Sequence, residues 1–298
     1  MTREKPEDWI GHTETCDDNI DVGHVEKMAS TLNSVVPLSG DPLPALWHWG
    51  LFVQPEPYSS LGRDGHPERG GFLPVAPGRN RMWAGGHVEF IHPLLVGKPA
   101  QRKSSILAVT EKQGRSGQLL FVTVQHEYVQ DFVVCVREEQ DIVYREPSPP
   151  LLQGREAAPE AEWSEEIVPT TTMLFRYSAV TFNGHRIHYD LDYVTREEGY
   201  PGLVVHGPLI ATLLCQAFRN AHHGRRIVNL SYRGLRPLIA PAPFRVAGRL
   251  ETNAGDGAGD NRGDNRGDNR GDNIRQAHLW AEQDGTLAQS AHIRFIEP

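Results

Sequence analysis

The segment PLIATLLCQAFRNAHH, residues 208–223, constrains the fold more than any other. Leu209, Leu213, Leu214, Ala217 and Phe218 recur at helical spacing, and Pro208 stands in the first turn, where a helix needs no amide hydrogen. An apolar face this wide has to be enclosed by other structure. The chain that follows supplies the enclosure. RIVNLSYRGL, PFRVAGRLE, RQAHLWAEQ and TLAQSAHIRFIE are rich in β-branched and aromatic residues and read as strands. One long helix followed by four strands is the outline of the C-terminal half.

The first half carries strands of the same kind in SSILAVTE, QLLFVTVQHEY and DIVYRE. Between the halves lies PSPPLLQGREAAPEAE, residues 147–162, a composition that suits an extended connector. Domains are therefore expected at 1–146 and 163–298, with 147–162 as linker. HPLLVGKPAQRKSSIL at 92–107 lines up with RPLIAPAPFRVAGRL at 236–250 with a one-residue gap, an offset of about 144 residues. That period is far too long for a solenoid and suggests two copies of one fold. A tandem tract, GDNRGDNRGDNRGDN, occupies 259–273; its turn-forming, wholly polar residues predict a low-complexity hairpin loop, placed at 255–273.

A formal net charge of −8 argues against nucleic acid or an anionic membrane as the main partner and leaves a small molecule as the ligand. No apolar run is long enough for a transmembrane helix, and the first residues, MTREKPEDWIGH, lack the apolar core of a secretory signal. Cys16, Cys135 and Cys215 are widely separated and show no CxxC spacing, so a reduced, cytoplasmic setting is expected and thiolate metal binding is not.

The chemistry concentrates in TFNGHRIHYD, residues 181–190. Asn183 and His188 are five residues apart, and a bend at Gly184 allows both side chains to face one pocket. Histidine suits proton transfer near neutral pH, and an amide fixes a water or carbonyl without adding charge. Further on, His206 and Gly207 lead into the helix at Pro208, so the amide hydrogens around Gly207 lie at a helix N-terminus that favours negative charge. Such a place stabilises the enolate oxygen of an acyl thioester while His188 handles the proton.

The order of a His-Tyr-Asp loop, then GLVVHGPL opening a long apolar helix, then strands, resembles the MaoC-like hotdog hydratases and dehydratases of acyl thioesters. LGRDGHPERGGFLP, RMWAGGHVEF, GRSGQLLFVTVQHEY and EEQDIVYRE narrow the likeness to the double-hotdog group of mesaconyl-C4-CoA and itaconyl-CoA hydratases and fungal-type 3-hydroxyacyl-thioester dehydratases. The resemblance implies an α+β double hotdog, each half an antiparallel sheet wrapped around a helix, with the active site in the C-terminal half. It implies reversible hydration of a C5 dicarboxylic enoyl-CoA to citramalyl-CoA, without metal or other cofactor; the sequence leaves open whether such pseudo-dimers pair further into a homodimer. His188 matches the family base and Gly207 the oxyanion glycine. Asn183 stands where many members have Asp, which leaves His188 as principal base, with Asp190 or Asp192 as candidates to orient its ring. Arg186 is the first choice to meet the free carboxylate, with Arg176, Arg233 and His206 as further substrate contacts. Two alternatives are a 3-hydroxyacyl-thioester dehydratase of fatty-acid synthesis and a non-catalytic acyl-CoA binding module. WHW at 47–49 and Trp83 read as packing or as walls for the acyl or CoA moiety.

Overall fold

The structure, a computed structural model, describes residues 5–68, 70–114, 117–251 and 274–298. Its ten strands form one continuous antiparallel sheet. The N-terminal half contributes β1 (Thr13–Asp18), β2 (Asn80–Phe90), β3 (Ala100–Gly114), β4 (Gly117–Gln130) and β5 (Val133–Arg145). The C-terminal half contributes β6 (Trp163–Ile167), β7 (Arg226–Gly234), β8 (Phe244–Glu251), β9 (Ile274–Gln283) and β10 (Thr286–Ile296). Their order across the sheet is β1-β3-β4-β5-β2-β7-β10-β9-β8-β6. The second half therefore repeats the first in mirror order about the β2–β7 seam.

The sequence offset reappears in the register of that seam. His87 faces Ser231, and its ring hydrogen-bonds the Ser231 hydroxyl at 2.9 Å, so residues 144 apart in sequence meet at the pseudo-twofold axis. The bridges Pro42–Leu95 and Val204–Ile239 are a second matched pair, with their strand-side members separated by the same offset.

Strand alternation drives the wrapping. Along β4 every second residue, Leu120, Val122, Val124, His126 and Tyr128 among them, is buried on one face. The long helix predicted at 208 is α4 (Gly207–Ala221), buried nearly all round, including Leu209, Leu213, Leu214 and Phe218. Two matched helices, α1 (Val22–Thr31) and α2 (Thr171–Val180), pack on each other and are N-capped by Asp21 and Thr170. The short α3 (Leu191–Arg196) is capped by Asp190, which accepts from the Tyr193 amide at 3.0 Å.

The halves differ in what they enclose. The amide of Val205 bonds the Leu238 carbonyl, as that of Leu43 bonds Leu94, so the residues opening α4 correspond to the chain just past Leu43. There the described residues of the N-terminal half form short 3-10 turns, Trp47–Gly50 and Tyr58–Ser60, and no α-helix. The residues after Gly50 carry Pro55, Pro57, Pro67, Pro74 and Pro77 and cannot sustain a helix. The concave face left uncovered by a helix becomes part of a cavity. Between β5 and β6, the predicted linker runs without helix or strand. The Gly-Asp-Asn-Arg loop at 255–273, which joins β8 to β9, lies outside the described residues. No described helix is long and apolar enough to cross a membrane.

Candidate active site

A cavity of about 1190 Å³ runs between the halves. His188, Asn183 and Gly207 all line it, and Trp49, Trp83, Val124 and Ile142 from the N-terminal half form its apolar walls.

His188 lies in a short 3-10 turn, Arg186–His188, and is 7% exposed. Its Nδ1 is 2.7 Å from the Val204 carbonyl oxygen, which only accepts, so Nδ1 carries the proton and Nε2 keeps its lone pair. Burial lowers its pKa to about 4. The ring is therefore neutral and basic at pH 7. Its other face stacks on the His206 ring, centroids 3.6 Å apart and planes at 18°. His206 is fully buried and held through Nε2 by the Ser178 hydroxyl at 2.8 Å.

Asn183 closes a local turn. Its Oδ1 accepts from the His185 amide at 2.9 Å. Gly207 opens α4 and lines the cavity, and among the described residues its amide hydrogen has no acceptor. A Cβ on Gly207 would lie 2.8 Å from Cε3 of Trp83, which accounts for glycine at this position. Trp83 in turn stacks on Tyr232 at 4.4 Å and meets Trp49 edge-on at 5.5 Å.

The structure places several of the expected contact residues outside the cavity lining. Arg186 does not line the cavity. Its Nη2 and Nε bind the Asp190 carboxylate at 2.7 and 3.0 Å, and its guanidinium lies 4.1 Å over the Tyr193 ring. Those contacts fix the loop. Arg176 reaches towards the Ser30 carbonyl on α1, and Arg233 is exposed on β7; neither faces the cavity. His206 is also outside the cavity lining and stacks on His188. Asp190 is committed to Arg186 and the α3 cap, and Asp192 pairs with Arg196 on the surface, so the Val204 carbonyl orients the base.

Sequence reasoning missed the cations that do line the cavity, Arg81, Arg102, Arg145 and Arg236. Arg81, on β2 two residues before Trp83, makes no hydrogen bond or ion pair among the described residues, whereas Arg102 pairs with Glu14. Its charge is felt at His185. The signal was present in RMWAGGHVEF, but β2 was not recognisable as a strand. Also missed was a second cluster, Asp64 and His66, which stands against His185.

A ten-stranded double hotdog with a buried basic histidine across a cavity from a helix N-terminus defines a thioester-processing class. The family model of hydroxyacyl-thioester dehydratase type 2 matches residues 46–240. The chain is 47% identical to mesaconyl-C(4)-CoA hydratase of Chloroflexus aurantiacus over 261 residues, covering 84% of this chain and 93% of that protein. It is 26% identical to the mitochondrial hydroxyacyl-thioester dehydratase type 2 of Schizosaccharomyces pombe, covering 74% and 85%. Among solved structures, a MaoC-like dehydratase superposes with a TM-score of 0.72 at 12% identity over 98% of this chain and 99% of that one, which shows the fold. The chain belongs to the hydroxyacyl-thioester dehydratase type 2 family, and it is an enzyme of the hydro-lyase type.

Proposed function

We propose that this enzyme adds water reversibly across the double bond of a C5 dicarboxylic enoyl-CoA, mesaconyl-C4-CoA or itaconyl-CoA, to give citramalyl-CoA. The observation that carries the reading is the His188 tautomer: Nδ1 is bound to the Val204 carbonyl, which leaves Nε2 bare on a residue that lines the same cavity as Gly207. The thioester oxygen sits on the Gly207 amide. With mesaconyl-C4-CoA, whose double bond is conjugated with the thioester, water held by Asn183 loses its proton to His188 Nε2 as its oxygen bonds the β-carbon, and charge passes to the oxygen at the mouth of α4. CoA is the substrate's handle, and the scheme calls on no cofactor.

Arg81 supplies the partner for the second carboxylate. A carboxylate–guanidinium pair at 4 Å is worth about 1 kcal/mol in water and roughly 4 kcal/mol near a protein surface. An aspartate at position 183 would repel the same carboxylate; the neutral amide does not. Purified protein is incubated with itaconyl-CoA, mesaconyl-C4-CoA and crotonyl-CoA, following loss of the conjugated thioester for the last two and product mass for all three. Gain of one water on the dicarboxylic substrates is expected, with crotonyl-CoA far slower. Arg81→Gln should raise KM about tenfold for the dicarboxylic substrates and leave crotonyl-CoA unchanged.

The cavity volume favours a second reading, a 3-hydroxyacyl-thioester dehydratase of fatty-acid synthesis, because a five-carbon acyl group fills only a small part of it. Equal or faster turnover of longer monocarboxylic substrates, with no effect of Arg81→Gln, would establish that alternative.

A further inference from the structure

The N-terminal half places an imidazole, His66, in the wall of the same cavity, with the Asp64 carboxylate bonded to it. Asp64 Oδ2 is 3.1 Å from His66 Nδ1, and Asp64 Oδ1 accepts from the His66 amide at 3.1 Å. The His66 ring is 4.2 Å from that of His185, which is 5.4 Å from that of His188. Both His66 and His185 line the cavity. His66 also acts electrostatically on His188 itself.

The loop that carries the pair is fastened to the catalytic segment. Leu61 bridges Pro67, and the Gly62 amide bonds the His66 carbonyl at 2.7 Å. The Arg186 amide donates to the Asp64 carbonyl at 2.9 Å, and Arg186 Nη1 donates to the Arg63 carbonyl at 3.1 Å. Gly65, at φ +85°, packs so closely on Gly184 that a Cβ on Gly184 would lie 2.6 Å from the Gly65 oxygen. Two glycines in contact bring the halves together where the pair meets the site, and Arg186 acts as their clamp.

We propose that Asp64 and His66 form the second acid/base group of the active site, supplied by the N-terminal half in place of the carboxylate that Asn183 does not provide. The proposal rests on the hydration reading above. His66 enters the cycle as an imidazolium balanced by Asp64. Water gives its oxygen to the β-carbon and a proton to His188 Nε2, and the double-bond electron pair moves to the thioester oxygen. The enolate then takes a proton at the α-carbon from His66 Nε2. The proton left on His188 returns to His66 past His185, so one water is added and both rings are restored. Burial works to raise the Asp64 carboxyl, but the hydrogen bond and charge of His66 outweigh it and hold the group ionised, as this role requires.

Hydration kinetics of full-length variants test the pair. His66→Gln and Asp64→Asn should each lower kcat by about 10²-fold or more with KM little changed, the usual size of a lost acid/base group. Adding Asn183→Asp to His66→Gln should restore about tenfold or more of that loss, because a carboxylate at 183 then takes the proton-transfer role. A structural role for His66 gives no such rescue, and its absence overturns the proposal. Full kcat in His66→Gln, with His188→Ala inactive, overturns it while leaving the hydration reading intact. An active His188→Ala enzyme defeats that reading itself. The donor atoms of Asp64, His66 and His185 lie within 4.8 Å of one another, so a divalent cation is the competing occupant. Stoichiometric metal in the purified enzyme, lost in His66→Gln, also overturns the acid/base assignment.

Discussion

Replacing His188 by alanine should lower kcat by about 10²- to 10⁴-fold, the range for removal of a positioned general base. Acyl-CoA binding should survive, because the ring is buried in the wall and anchored to the Val204 carbonyl, away from the CoA handle. The pH profile adds a sharper expectation. Burial depresses the imidazole to about 4, so Nε2 remains free above that pH, and the acid limb of kcat/KM should lie near pH 4. A limb at histidine's ordinary value of about 6.5 would mean that the ring is solvated. His188→Gln keeps much of the side-chain volume and separates loss of base from loss of packing.

The second large effect concerns a carboxylate far from the chemistry. Glu138 on β5 is completely buried and accepts from Gln140 Nε2 at 2.7 Å, Trp49 Nε1 at 2.8 Å, His48 Nε2 at 3.3 Å and Tyr128 Oη at 3.4 Å. Burial works to raise its pKa, yet the hydrogen bond and charge of His48, with His126 and Gln140, hold it below the usual range. Glu138→Ala leaves these donors stranded in the core and should cost about 3–5 kcal/mol in urea unfolding. A loss below about 1 kcal/mol would show that the network contributes no more than a surface pair. The network also bears on the site. Trp49, which donates to Glu138, packs on Trp83, and Trp83 abuts Gly207, so loosening Glu138 should also raise KM for the thioester.

Most of the sheet was legible because its strands alternate. β3, β4, β5 and all four strands after α4 fall where β-branched and aromatic runs placed them. β2 escaped for a physical reason. Gly85 and Gly86 are poor strand formers, yet a Cβ on Gly85 would lie 2.5 Å from the Tyr232 oxygen, and one on Gly86 2.5 Å from the Tyr232 hydroxyl. They permit close approach at the seam, beside a bulge at Trp83–Gly85, so the central strand of the duplication has the weakest strand signature. β1 and β6 escaped because they are short edge strands of six and five residues without a continuous apolar run.

In the site, His188, Asn183 and Gly207 could be found because they share one loop and one helix start. Arg186 misled because proximity in sequence says nothing about direction: two residues along a 3-10 turn, its side chain leaves the cavity for Asp190. Arg81 and the Asp64–His66 pair come from the other half of the chain. They reach the cavity only through the β2–β7 pairing and the Gly65–Gly184 contact, and neither is a local pattern.

The base itself is open to direct observation by long-range proton–nitrogen NMR of the imidazole rings, with the His188 signals assigned by their loss in His188→Gln. The expected spectrum has Nδ1 protonated and Nε2 bare from pH 8 downward, with protonation setting in near pH 4. A proton on Nε2 at neutral pH, or a midpoint at an ordinary histidine value, would contradict it and remove the base from the reaction.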